Sequence, residues 1–302
     1  MQNTLLVVGS VAYDCIETPL DSADFILGGS SSYAALAASF FCPVKVVGVV
    51  GNDFKESDIQ RLKARGIDIS GLKFDESRPT FFWRGKYHEN FNSRDTLDVR
   101  LNAFEGYSPE LKPDAKKSKF VLLGNISPEI QTAALDEVEQ PEFVILDTMD
   151  LWINTANSQL KDIVKRSDLL ILNDSEAKLL SENKNLICAG DILRKMGAKS
   201  VIIKTGEYGA MLFHESGFFT IPAYPVRTLH DPTGAGDSFA GALAGYIAGA
   251  GKTDFETIKK GMLVGAATAS LTVESFSCYK LEETGLEEIN RRRQYIETIT
   301  KI

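Results

Sequence analysis

The amino-acid sequence predicts an α/β protein built on a mostly parallel sheet. Short, unbroken apolar runs recur along the chain, and segments with helical spacing of apolar residues separate them. A run without polar alternation fits a strand covered on both faces, as in a parallel sheet whose crossovers are right-handed helices.

The elements follow in order. Leu5-Leu6-Val7-Val8 is the first such run and ends at Gly9-Ser10. Further strands are expected at 44–50, 120–123, 143–146, 169–172 and 201–203, with helices at 32–41, 53–65, 129–137, 151–166 and 191–196. Two more helices follow Thr233, at about 236–250 and 255–272. The alternation fails between Phe74 and Phe104, where Thr80-Phe81-Phe82-Trp83-Arg84-Gly85-Lys86-Tyr87 is aromatic and β-prone. This stretch, joined by residues 13–26, is expected to form strands outside the main sheet. A small β appendage of that kind often covers a site; an ordinary surface hairpin is the plainer alternative.

Composition narrows the function. Lys plus Arg number 33 against 41 Asp plus Glu, a formal charge of −8. An acidic chain lacks the clustered cations that nucleic-acid backbones require. The N-terminal run is short and has no basic flank, so it does not resemble a signal peptide. No apolar stretch reaches the roughly 18 residues of a membrane span. Cys15, Cys42, Cys188 and Cys278 lie far apart and outside any CxxC pair, which predicts buried free thiols and a cytoplasmic protein.

The strongest local signal is Asp231-Pro232-Thr233-Gly234-Ala235-Gly236-Asp237-Ser238-Phe239. Two glycines flank one alanine just before a helix, so consecutive N–H groups can converge at the positive end of that helix. Such a nest holds a phosphate or a developing oxyanion. Asp237 beside it would repel an anion unless it accepts a proton from an attacking hydroxyl. As a plain helix cap it would be unremarkable.

Asp231–Phe239 closely resembles the C-terminal signature of the PfkB/ribokinase family of carbohydrate and nucleoside kinases, and four other positions agree in order. Gly28-Gly29 before an alanine-rich helix looks like the family's double glycine. Asp14 is similar to its substrate-binding aspartate. Asn173-Asp174-Ser175-Glu176 looks like the Asn-x-x-Glu motif, and residues 201–210 resemble the nucleotide-binding strand and turn. The resemblance covers about residues 4–280. It implies a ribokinase-like α/β/α core in which residues 1–302 form a single domain, with lid segments at about 13–26 and 74–104.

The same resemblance implies an ATP-dependent phosphotransferase acting on a hydroxyl of a sugar or sugar-like molecule. Asp237 would be the base, and Gly234, Ala235 and Gly236 the anion hole. Asn173 and Glu176 would place Mg²⁺ through water, since Mg²⁺ keeps several waters and takes few protein ligands. Lys204, Thr205, Gly206, Gly209 and Thr233 would border the nucleotide. Asp14, Gly28 and Gly29 would meet the acceptor, with Arg94 and Asn125 as further candidates at its mouth. Lid strands in the family pair between subunits, so a homodimer through the lid is a candidate.

The departures bear on the acceptor. An asparagine commonly follows the double glycine four residues on, and here Tyr33 holds that place. The acceptor pocket is therefore altered. Asp231 supplies half of the family's monovalent-cation site, but Glu274-Ser275-Phe276-Ser277 does not match the other half, which leaves K⁺ open. A nucleoside kinase, in which Phe81-Phe82-Trp83 and Tyr33 stack a base, and a non-catalytic nucleotide or sugar sensor are the alternatives. Gly249-Ala250-Gly251-Lys252-Thr253 mimics a phosphate loop, but position 246 is Tyr, so it reads as a helix end. Arg291-Arg292-Arg293 is expected on a solvated helix face.

Overall fold

The computed structural model describes residues 3–301; Met1 and Gln2, the start of the N-terminal run, lie outside the described residues. Thirteen strands form two sheets. In chain order they are β1 (Leu5–Val8), β2 (Ala12–Glu17), β3 (Ser22–Gly28), β4 (Val44–Val50), β5 (Asp68–Phe74), β6 (Phe81–Tyr87), β7 (Arg94–Arg100), β8 (Phe120–Leu123), β9 (Phe143–Asp147), β10 (Leu169–Asn173), β11 (Ser200–Lys204), β12 (Ala210–His214) and β13 (Gly217–Ile221). The larger sheet has nine strands in the order β13-β12-β11-β10-β9-β8-β1-β4-β5. Its strands pair in parallel from β5 to β11, and β12 and β13 close the other edge as an antiparallel hairpin. The smaller sheet runs β3-β2-β6-β7 and is mixed, because β2 and β6 pair in parallel.

The unbroken apolar runs are sandwiched as expected. Alternate side chains of β1 go to opposite cores: Leu5 and Val7 face one, Leu6 and Val8 the other. The first core also holds helices Ser30–Ala38, Ala235–Ala250 and Phe255–Thr272; the second holds Pro128–Glu137, Asn157–Val164 and Leu186–Met196. The sheet is thus the middle of three layers.

Some expectations shift. The helix expected at 32–41 spans Ser30–Ala38, that at 53–65 spans Glu56–Ala64, and that at 191–196 begins at Leu186, capped by Asn185. The segment 151–166 is two helices, Asp150–Thr155 and Asn157–Val164, broken at Ala156. Asn154, Thr155 and Asn157 bond back to carbonyls four residues earlier, where side chains compete with the helical ladder. Phe74 ends a main-sheet edge strand, so the departure from the core begins after it. Cys188 is exposed, unlike the other three cysteines. Arg292 is buried: it pairs with Glu274 and Glu288, donates to Ser270 and lies over the Tyr224 ring. Only its neighbour Arg291 is widely exposed.

Helices Ser30–Ala38 and Ala235–Ala250 pack in parallel at backbone distance. A Cβ at Gly241 would lie 2.2 Å from the Ala34 carbonyl oxygen, at Gly245 2.8 Å from Ala38 Cα, and at Gly249 2.5 Å from the Phe41 carbonyl oxygen. Glycine every fourth residue makes one face flat enough for this contact. Alanine is the better helix former by about 1 kcal/mol, yet Gly241→Ala is expected to lower stability by about 1–3 kcal/mol because the methyl overpacks the contact. Urea unfolding measures it; a neutral or stabilising effect would refute the contact.

Candidate active site

The main sheet reverses its strand order at β1, with β4 and β5 on one side and β8 to β11 on the other. In open α/β sheets, crevices form outside the carboxyl ends of strands at such a reversal. A cleft of about 1330 Å³ opens here, between the ends of β9, β10 and β11, the start of helix Ala235–Ala250, and the smaller sheet.

The glycine loop enters that helix with Gly234 in the left-handed region, φ 75°. A Cβ at Gly234 would lie 2.3 Å from the ring of Tyr33, so the ring packs directly under the loop. Of the three amides, that of Ala235 donates to the Pro232 carbonyl at 3.2 Å. The nest expected from sequence therefore rests on its neighbours, Gly236 above all. Asp231 lies beneath the loop, fully buried. It accepts from Thr233 N–H at 2.9 Å, while its Oδ2 has no hydrogen-bond partner among the described residues. Burial pushes its carboxyl up to about 6.

Opposite the loop stands a row of charged strand ends. β9 ends in Asp147 and β11 in Lys204; Glu176 follows β10 on the helix Asp174–Ser181. Asn173 and Glu176 form a reciprocal helix cap. Asn173 Oδ1 accepts from Glu176 N–H at 2.8 Å, and Glu176 Oε2 accepts from Asn173 N–H at 2.7 Å. This cap fixes both side chains at the cleft and leaves Glu176 Oε1 and the Asn173 amide nitrogen outside it. Lys204 Nζ is 3.6 Å from Asp147 Oδ1, and a Cβ at Gly236 would lie 2.8 Å from Nζ. Burial pulls the Lys204 pKa down, but Asp147, Glu176 and Asp237 outweigh it, raise it above its ordinary value and hold the ammonium charged. Burial raises Glu176 to about 7 against the opposing field of Lys204. It raises Asp237 to about 6, with help from Asp147 and opposition from Lys204.

Asp14 stands on β2 and is 4% exposed. A Cβ at Gly28 would lie 1.9 Å from its carboxylate, so only glycine fits there. Gly29 has φ 88° and faces the Ser10 carbonyl, again without room for a side chain. Burial first, then Asp231 and Asp237, push Asp14 up to about 8. The Tyr33 hydroxyl is buried without a hydrogen-bond partner among the described residues.

The smaller sheet touches the opposite wall of the cleft at two places. Tyr87 Oη is 3.0 Å from Thr233 Oγ1, and Asn92 Nδ2 donates to Glu207 Oε1 at 3.3 Å. The Arg94 guanidinium lies over the Trp83 ring at 5.7 Å, and both line the cleft.

The cleft brings together Asp14, Gly29, Tyr33, Arg94 and Asn125 with Asn173, Glu176, Lys204, Gly206, Gly209, Thr233, Gly234, Ala235, Gly236 and Asp237. Three expected residues stand behind its wall. Gly28 backs Asp14, Asp231 lies under the loop, and the Thr205 hydroxyl donates to the Gly209 carbonyl at 3.0 Å. Asn125 is engaged, accepting from Trp152 Nε1 at 3.0 Å. Sequence reasoning did not single out Trp152 or Met149, which sit in a loop and short helix without a motif.

Comparison with known proteins supplies the family. The family model described as pfkB family carbohydrate kinase matches residues 2–284. A cytidine kinase of Thermococcus kodakarensis is 28% identical over 251 residues, covering 81% of this chain and 89% of the relative. Among solved structures, a provisionally assigned ribokinase II from E. coli in complex with ATP and Mg²⁺ aligns with a TM-score of 0.80 at 21% identity, covering 97% of this chain and 99% of that one. A Burkholderia thailandensis nucleoside kinase in complex with inosine gives 0.78 at 20% identity, covering 96% of each chain. The two structural likenesses show the fold.

The buried Asp14 yields a stability test. Its folded carboxyl holds a proton up to about 8, against an ordinary value of 3.8. As pH rises between these values the unfolded chain releases a proton that the folded one keeps, so this group's contribution to stability falls. Asp14→Asn removes the loss. Thermal denaturation is expected to give similar melting temperatures near the lower value, with the variant increasingly the more stable as pH approaches the upper one.

Proposed function

The chain belongs to the pfkB family of carbohydrate kinases, and we propose that it transfers the γ-phosphoryl group of Mg·ATP to a hydroxyl of a sugar or sugar-like molecule held at Asp14 and Gly29. The observation that carries this reading is the position of Asp237. It sits in the first turn of helix Ala235–Ala250, directly after the glycine loop, and lines the cleft with Lys204 and Glu176.

In this reading the acceptor oxygen forms a bond to the γ-phosphorus as its proton passes to Asp237. The bond to the β–γ bridging oxygen breaks, and ADP leaves with that electron pair. A base raised to about 6 is ionised at neutral pH and still basic enough to take the proton. The Gly236 amide and the helix N-terminus stabilise charge on the transferring group. Glu176 and Asn173 fit a water-mediated Mg²⁺, because the cap leaves Glu176 Oε1, and a second lone pair on Asn173 Oδ1, to accept from metal-bound water at the cleft. Mg²⁺, when bound, neutralises phosphate charge. Gly206 and Gly209 border the nucleotide, with Thr205 behind them holding the turn. The smaller sheet serves as a lid at about residues 13–26 and 74–104 on a single domain. Its contacts to Thr233 and Glu207 tie the sheet that carries Asp14 to residues on the nucleotide side.

A nucleoside acceptor is the second reading. Phe81, Phe104, Tyr107, Ile126 and Trp152 give the cleft an aromatic, apolar flank beyond what a free sugar needs. The cytidine kinase and the inosine complex among the similar proteins agree with it. We extend the reading to a monovalent cation at Asp231, whose unpartnered, buried Oδ2 suits one. We also extend it to a homodimer through the lid, whose edge strand β7 leaves Leu97 54% exposed. No described helix is long and apolar enough to cross a membrane, and the cysteines are unpaired; a cytoplasmic location fits both.

A turnover screen with Mg·ATP over sugars, polyols and nucleosides, with and without K⁺, is expected to find an acceptor; ATP binding without turnover would favour a sensor. With that acceptor, Asp237→Asn should fold and lose roughly 10²–10⁴-fold in kcat. Wild-type kcat/KM should fall as pH drops below about 6, where the base becomes protonated.

A further inference from the structure

We propose that Lys204 is a catalytic residue whose ammonium contacts the oxygens of the transferred γ-phosphoryl group, with Asp147 holding it in place; this rests on the kinase reading above. Lys204 ends β11 and lines the cleft, with its side chain 17% exposed. Its place relative to the glycine loop is tight. A Cβ on Gly236 would lie 2.8 Å from Nζ, so the ammonium occupies the space beside the loop that any side chain there would fill.

The lysine is not consumed by a structural ion pair. Its nearest carboxylate oxygen, Asp147 Oδ1, is 3.6 Å away, outside direct hydrogen-bond range. That oxygen is itself buried without a hydrogen-bond partner among the described residues. Both groups therefore face one another with unused hydrogen-bonding capacity. A cation that served only to neutralise Asp147 would close this distance, because a buried pair gains from direct contact. An ammonium that keeps its donors for an anion in the cleft explains the gap, the partial exposure and the apposition to the loop together.

The chemistry needs such a group. The transferring phosphoryl carries charge on three equatorial oxygens, and the carboxylates nearest Lys204, those of Asp147, Glu176 and Asp237, would repel that charge. A lysine ammonium is a compact point charge with three donors, suited to phosphate oxygens. Arg94, the other cation lining the cleft, stands on the smaller sheet over Trp83, and its charge reaches Asp237.

The test uses the full chain and compares ATP with ADP, each with Mg²⁺, by calorimetric titration of wild type and Lys204→Met. A contact to the γ-phosphoryl predicts ATP weakened by about tenfold or more, and ADP by no more than about threefold, from loss of one charge-assisted bond. It also predicts kcat lowered by about 10²–10³, as for loss of a donor to the developing charge, with the acceptor KM little changed. Equal weakening of ATP and ADP, or an unchanged kcat, would overturn the proposal in favour of a structural cation. Because Lys204→Met leaves Asp147 without its counter-charge, the double variant K204M/D147N removes both charges and must show the same ATP–ADP difference. A wild-type protein that neither binds Mg·ATP nor turns over any acceptor would reject the kinase reading itself.

Discussion

The backbone contact between helices Ser30–Ala38 and Ala235–Ala250 sets the geometry of everything at the cleft. Both helices begin there, one after Gly28-Gly29 and the other in the glycine loop. Because they run in parallel and touch at Gly241 and Gly245, with Gly249 against Phe41 just past the first helix, a shift of one N-terminus would disturb the other. The ring of Tyr33 against Gly234 locks the first turn of one to the entry of the other. Two positive helix ends converge on one spot. Three carboxylates, the buried Asp14 and Asp231 and the half-buried Asp237, answer that field from around it, each raised by desolvation.

That crowding of acids has an energetic reading. Folding for stability alone would not place five carboxylates, counting Asp147 and Glu176, around one lysine and two helix ends. Buried charge without close partners costs stability and survives where a site needs it. Asp14, raised to about 8, keeps its proton at neutral pH, so the cleft carries less negative charge than the count of carboxyls suggests. The overall acidity of the chain is consistent with the proposed arrangement, in which backbone dipoles and one lysine, rather than a basic surface, would hold the anion.

Much of this was legible in sequence because it depends on local chemistry. Strands β1, β8, β9, β10 and β11 are unbroken apolar runs, and burial on both faces demands that pattern. The glycine loop was legible because a left-handed residue and a helix start leave a local signature at Gly234. What escaped depends on distant partners. β5 and the β12–β13 hairpin are edge elements with half-exposed residues, so their periodicity is diluted. Arg292 looked like one of three surface arginines until Glu274 and Glu288 were brought around it. The pairing of Asp147 with Lys204 joins strand ends 57 positions apart, by the difference of their numbers, and nothing near either residue announces the other.

The parallel pairing of β2 with β6 links Ala12 to Phe81, and between them the chain leaves the smaller sheet, builds β4 and β5 of the larger one, and returns. The smaller sheet is therefore interleaved with the core and cannot be excised at two cuts like an inserted module. Its central strands pair residues 69 positions apart, by the difference of 81 and 12, a non-local contact that costs more loop-closure entropy than a hairpin does. It follows that four chain crossings join the two sheets, between β1 and β2, β3 and β4, β5 and β6, and β7 and β8, where an inserted hairpin would have two.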